Sequence, residues 1–302
     1  AFMAWFARAR RHAAISLHGL GLRTCTRRRG RTLAVIGLLA CGIFLVAAVA
    51  ANRQGATPDP YNKTAGTGGF ALYAATTLPL LHDLATRDGQ NGVGLSSNDM
   101  AGIRVVQLRT YAGDDASCLN LNRAQQPRIL GVTPAQLEGR FACATHVPWV
   151  DPAHPWQCLD MTTTNGIPAI ADQTVIEWGL GKSVGDTLDY VDEHGATFTV
   201  VLAAGLENSI LQGNVLIAEQ EFMRRFPSAG GTQVLLVDAP PTRASDFAHT
   251  LQTQLQDLGI EVQSAADRLA LFTTVQNTYL AVFLALGGLG VLLGSVGIGV
   301  VV

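Results

Sequence analysis

The sequence predicts an α+β domain with a β-rich, barrel-like insertion, held outside a membrane and flanked by transmembrane α-helices. Three observations predict it. Two long apolar runs lie towards the ends, the charge balance changes sign across the first of them, and short β-rich segments alternate with an amphipathic helix in between.

The first run, Leu33 to Ala51, has 19 residues without a charge. As a helix rising 1.5 Å per residue it covers roughly 28 Å, about one hydrocarbon core. Arg31 and Arg53 bracket it, where they can snorkel to the two interfaces. Residues 1–31 hold eight arginines (Arg8, Arg10, Arg11, Arg23, Arg27, Arg28, Arg29, Arg31) and no acid. All 23 acids lie between Asp59 and Asp267, so removing those eight from the 21 bases leaves 13 against 23, a balance of −10. An Arg-rich leader and an acidic body joined by an apolar run place the leader in the cytoplasm and the body outside. Nucleic-acid binding is not expected, because the arginines abut a span and lack interleaved aromatics. A cleaved signal peptide is the competing reading, since Ala48-Val49-Ala50 matches an A-x-A site. Its apolar region would exceed the usual length of roughly 7–15 residues.

The second run, Leu269 to Val302, has 34 residues with no acid or base. Its first turns carry Thr273, Thr274, Gln276 and Asn277, so the helix is expected to start in the folded body, with Tyr279 near the interface. Gly290 and Gly294, four apart, would let a neighbouring helix approach closely. The expected organisation is therefore a basic amphipathic leader over 1–32, a span over 33–51, a body over 52–275 and a second span over 276–302. The absent initiator and the run that stops at Val302 read as an internal piece of a longer protein.

Within the body, residues 54–68 read as a linker rich in Gly, Pro and Thr. IRVVQLRTY (103–111), TFTVVLAAGL (197–206) and TQVLLVDA (232–239) read as strands. DTLDYV and the turn Asp192-Glu193-His194-Gly195 complete a hairpin over 186–206, inside a β-rich stretch over about 165–215. NVLIAEQEFMRRF begins as a strand and turns helical near Glu219. TRASDFAHTLQTQLQDLG puts Phe247, Leu251, Leu255 and Leu258 on one helical face and stops at Gly259; IEVQ (260–263) follows as a strand.

Chemistry-bearing patterns are few. There is no G-x-x-x-x-G-K-[ST], which excludes ATP hydrolysis by a P-loop in this chain. Gly181-Lys182-Ser183-Val184-Gly185 matches a nucleophile elbow, but a strand-like segment follows where a helix is required. Cys143, His146, His154 and Cys158 have the donor types of a tetrahedral zinc site, within a proline-rich segment whose compartment favours disulfides. Cys118, Cys143 and Cys158 allow one bridge, with the pair left open, or three buried thiols; Cys25 and Cys41 should not pair. Asp114-Asp115 lacks the further oxygens that calcium needs. No catalytic, cofactor-binding or metal residue is assigned, and the chain is not expected to be an enzyme.

IPAIADQTVIEWGLGKSVGDTLDYVDEHGATFTVVLAAGL resembles the extracytoplasmic core of FtsX-like/MacB-like ABC transporter permeases: a short strand, a helix ending in a Gly-Lys-x-Val-Gly-Asp turn, then a hairpin. LHGLGLRTCTRRRGRTLAVIGLLACG is similar to that family's basic leader and first span, and LGGLGVLLGSVGIGVVV to the start of its transmembrane module. The resemblance implies a permease subunit working with a cytoplasmic ABC ATPase subunit, in contact with membrane lipid. It further implies a dimer or pseudo-dimer of permease halves, this chain resembling the second half of a duplicated permease. Lipoprotein or lipid release, peptide or drug efflux and activation of wall enzymes are the outcomes it allows. The rivals are a membrane-anchored receptor or adhesion domain without an ATPase, an anchored hydrolase using Ser183, and a secreted domain.

Overall fold

Strands in which every residue is apolar, rather than every second one, must be covered on both faces. The computed structural model, which describes residues 29–51, 59–113 and 126–301, shows how they are covered. The leader arginines before Arg29, Cys25, Asp114-Asp115 and Cys118 lie outside the described residues. The chain divides into two units, one of residues 56–275 and one holding the apolar helices.

Among the described residues of the body, ten strands form one mixed sheet: β1 (Leu72–Leu80), β2 (Arg104–Tyr111), β3 (Arg128–Val132), β4 (Cys143–His146), β5 (Ile167–Asp172), β6 (Thr187–Val191), β7 (Thr197–Leu206), β8 (Asn214–Ala218), β9 (Thr232–Asp238) and β10 (Ile260–Ser264). Their order is β10-β1-β9-β2-β3-β8-β5-β7-β4, with β6 also on β7. The pairs β3/β8 and β5/β7 are parallel and the others antiparallel.

The α-helices among the described residues are α1 (Arg29–Ala51), α2 (Arg87–Gly92), α3 (Pro134–Leu137), α4 (Glu219–Arg225), α5 (Pro241–Gln254) and α6 (Ala265–Val301). Short 3₁₀ turns cover Pro155–Asp160 and Gln256–Leu258, and a π turn covers Val175–Gly179. The sequence boundaries hold closely at β7, at the switch from β8 to α4, and at Gly259, which stops the α5 region with a left-handed φ of 65°. The helix expected before the Gly-Lys-Ser-Val-Gly-Asp turn is the single π turn instead.

Alternation along each strand sends side chains to opposite faces. On β9, Val234 and Leu236 enter a central cluster with Val106, Leu108 and Leu130, whereas Leu235 and Val237 meet Phe247 and Leu251 of α5. On β8, Leu216 and Ala218 join the central cluster, whereas Val215 and Ile217 pack with Phe222 and Phe226 of α4 and with Val175 and Ile176 of the π turn. Phe141, Val147, Trp156 and Leu159 cover the central cluster from the other side. Trp156 is fully buried, and its indole N–H donates to the Arg140 carbonyl at 2.9 Å.

The β-rich stretch is not a barrel. β6 runs beside Thr197–Val201 and β4 beside Ala204–Leu206, both on β7, and among the described residues neither pairs with any other strand. Strands from outside the stretch, β3 and β4, are hydrogen-bonded into it, so the sheet stays an open path. A hairpin motif specifies its own pairing and nothing about closure.

In the other unit, Leu33–Ala51 and Thr278–Val296 are long and apolar enough to cross a membrane. A Cβ on Gly42 would sit 3.1 Å from Val291 Cγ2, and one on Gly287 would sit 3.1 Å from Val46 Cγ2. Four residues forward on one helix match four residues back on the other, so the helices run antiparallel and approach through these two glycines. Gly290 and Gly294, the pair expected to make the close contact, have nothing within 4 Å of an added Cβ.

Candidate functional site at the root of the last helix

The first turns of α6 are fastened to the body by polar groups in an otherwise apolar setting. Ala265 N donates to the Ala71 carbonyl at 3.0 Å. The Arg268 guanidinium lies 3.7 Å from the Tyr73 ring centroid and 5.4 Å from that of Phe272, and its Nε donates to the Ile210 carbonyl at 2.8 Å. Leu269 and Phe272 are buried. Ile210 N donates to the Gly66 carbonyl at 2.8 Å. At Gly66 a Cβ would stand 2.0 Å from the Asn208 carbonyl oxygen, so this approach of loop to loop requires glycine.

Two further clamps lie at the same end. Arg140, only 4% exposed, donates to the Gly68 carbonyl at 2.7 Å, pairs with the Asp238 carboxylate at the end of β9, and stacks 4.2 Å over the Phe70 ring. Asp172, at the end of β5, accepts from Thr174 N at 3.0 Å, from Thr174 Oγ1 at 2.6 Å and from Ser209 N. Burial raises its carboxyl above the ordinary Asp value, and those hydrogen bonds offset only part of the rise. Thus β5, β9, the 62–70 loop and the 207–213 loop all converge on the start of α6. Arg140 and Asp238 pair with one another, whereas Arg268 and Asp172 are held by backbone groups, rings and hydroxyls.

Comparisons with known proteins are distant. No family model matches the chain, and no curated protein does. Among solved structures, the periplasmic region of MacB from Actinobacillus actinomycetemcomitans is similar at a TM-score of 0.34 and 12% identity, covering 70% of this chain and 95% of that one. The extracellular domain of the noncanonic ABC-type transporter YknZ from Gram-positive bacteria is similar at a TM-score of 0.31 and 8% identity, covering 64% and 98%.

The residues singled out in the sequence fall elsewhere. Ser183 is exposed in a turn whose geometry is set by left-handed Gly181 and Gly185, with its N–H donating to Asp186 Oδ2 at 2.8 Å. A strand, β6, leaves that turn, where a nucleophile elbow needs a helix. Cys143, His146, His154 and Cys158 do not converge as a metal centre, and no group of three such ligands occurs among the described residues. His146 Nδ1 lies 3.1 Å from the Val147 carbonyl, and His154 Nδ1 lies 2.6 Å from Glu138 Oε1. Cys143 and Cys158 are free thiols beside the central cluster. Burial pushes them up to about 11 and about 12, with Cys143 adding to the rise at Cys158.

Crevices among the described residues flank the sheet. A cavity of about 510 Å³ opens beside α4, walled by Thr163, Thr164, Thr199, Glu221, Arg224 and Arg225. A smaller one of about 210 Å³ lies where the two halves of the sheet meet at β2 and β3. There Arg109 Nε donates to Glu219 Oε1 at 2.8 Å, and Thr133 Oγ1 donates to Glu219 Oε2 at 2.7 Å. Sequence reading missed Arg140, Asp172, Asp238 and Arg268. Asp172 and Asp238 had a visible signal, each an acid closing an apolar run, Ile167–Ala171 and Val234–Val237.

Proposed function

We propose that this chain is a membrane permease subunit of an ABC transporter, of the FtsX-like/MacB-like kind. It couples ATP hydrolysis by a cytoplasmic partner ATPase to movement of an extracytoplasmic body. The observation that carries this reading is α6, a single 37-residue helix that starts among buried body residues and continues through the apolar run Thr278–Val296. An α-helix in lipid satisfies its own backbone hydrogen bonds and is therefore stiff along its axis. Rooted by Arg268, Leu269 and Phe272, it is suited to carry a displacement into the sheet, a hinge or shear motion. The charge asymmetry across Leu33–Ala51 and the antiparallel pairing of the two apolar helices support the orientation. The substrate is a lipoprotein, lipid or peptide, and a second permease half completes the pore.

Two measurements on the full chain test this. An impermeant maleimide should label Asp257→Cys in intact cells and leave Arg10→Cys unlabelled. Purification in mild detergent should retain a P-loop ATPase subunit. Correct topology without that ATPase would instead make the chain an anchored receptor or adhesion domain.

A further inference from the structure

Among the described residues of the body, Trp178 is the most exposed large apolar side chain at 80%, ahead of Leu81 at 76%. It is also held in place. The π turn that carries it is closed by Leu180 N donating to the Val175 carbonyl and Lys182 N to the Ile176 carbonyl, each at 2.9 Å. Left-handed Gly181, φ 64°, completes the reversal, and Val175, Ile176 and Leu180 are buried beneath it. Helices with this wider hydrogen-bonding pattern are rare and concentrate at functional sites. A fixed turn that buries three apolar residues and presents an indole to solvent calls for an occupant.

The position of the turn identifies one. Asp172, which ends β5 just before the turn, takes Ser209 N. The next residue, Ile210, binds Gly66 through its N–H and Arg268 of α6 through its carbonyl. The turn therefore lies at the same end of the body as the root of α6. Phe272 is still buried in the body, and the apolar run begins at Thr278, six residues or about 9 Å of helix further on. The charges nearby suit a headgroup layer. Glu177 is held by Gln173 Nε2 at 2.6 Å, and Gln173 contacts Thr145 Oγ1, so the acid is tied to its neighbours. Gly205 makes room for this, since a Cβ there would stand 2.0 Å from Gln173 Oε1. The chain's two lysines, Lys63 and Lys182, both belong to segments at this end. Tryptophan, with an apolar face and one N–H donor, is the side chain most favoured at the membrane–water boundary.

We propose that Trp178 seats the body on the lipid headgroup layer of the outer leaflet, as a second point of support beside the root of α6. This rests on the reading of Thr278–Val296 as a span. Two supports would resist tilting of the body about the helix, and motion of α6 would then have to lift or slide the seat.

The test uses the full chain reconstituted in phosphatidylcholine vesicles brominated either near the headgroup or near the chain ends. The emission lost in Trp178→Phe reports Trp178, and a Trp149→Phe background lets the buried Trp156 emission check that the variant is folded. The expected result is that the Trp178 component is quenched by shallow bromines and protected from aqueous iodide. A Leu289→Trp variant, placed inside the apolar run, should be quenched by deep bromines. If Leu289→Trp is quenched but the Trp178 component is quenched by iodide alone, the seat is overturned while the span stands, and the indole is left for a protein partner. If Leu289→Trp escapes deep quenching as well, the membrane reading and the seat fall together.

Discussion

The two ends of β7 are held by opposite kinds of chemistry. At its end near α6, the clamps are wholly or partly buried: Arg140 with Asp238, Arg268 over Tyr73, and Asp172 beneath Ser209. At the far end, ten residues away, the hairpin turn to β6 is held by exposed groups. Asp192 Oδ1 accepts from His194 N at 2.9 Å and Ala196 N at 2.8 Å, while Glu193 Oε2 accepts from Ser228 N at 2.9 Å. Bonds made in water break cheaply, whereas buried polar groups cannot lose a partner without a desolvation penalty. The two ends of β7 should therefore differ in what it costs to break their polar contacts.

Removing the main cation of the end near α6 should have the largest effect. Arg140→Ala strands the Asp238 carboxylate and the Gly68 carbonyl. It should cost about 3 kcal/mol, towards the low end for a broken buried pair because Asp238 keeps 35% of its side-chain surface in water. Denaturant midpoints of the full chain in micelles would measure this, and a loss no greater than that of a typical surface substitution would erase the contrast.

The two ends should also answer pH with opposite signs. The folded Asp172 carboxyl is raised by burial, so its contribution is fully present below the ordinary Asp value and is lost as pH rises through the raised value. The slope from this one group cannot exceed about 1.4 kcal/mol per pH unit. Asp172→Asn should flatten that dependence in stability curves recorded from pH 4 upward. Glu193 is lowered, first by its bond from the Ser228 side chain, so its contribution is present above the ordinary Glu value and is lost as pH falls through the lowered one.

The smallest effect belongs to the exposed end. Ser228→Ala should leave the melting temperature within the scatter of surface substitutions and let the Glu193 titration midpoint climb back towards that of a free glutamate. Carbon-13 NMR of the side-chain carboxyl would follow it. An unchanged midpoint would show that the Ser228 bond does not hold this end.

Much of the fold could be read from composition along the chain. The centres of β7, β8 and β9 (Val200–Ala204, Val215–Ala218 and Val234–Val237) are continuous apolar runs because both their faces are covered, and their shortness and β-branched content mark them as strands. The Asp192–Gly195 turn carries its own instructions in an Asp that caps two N–H groups and a Gly with φ 82°. β1, LYAATTLPL, was unreadable because its alanines and proline carry little β signal and outweigh its threonines; pairing with β9 and β10 decides it. The candidate site was almost wholly hidden. Arg140 sits in the unremarkable stretch EGRFAC, and its partner Asp238 is 98 residues away.

The sequence alone determined the two apolar helices, the sign of the charge on each side of the first, and most strands and turns, because each depends on residues close together in the chain. Only the tertiary structure decided that the sheet stays open, that Gly42 and Gly287 rather than Gly290 and Gly294 make the close helix contacts, and which buried charges meet at the root of α6. Those outcomes depend on pairings between distant segments, and local propensity has no way to encode which segment will arrive.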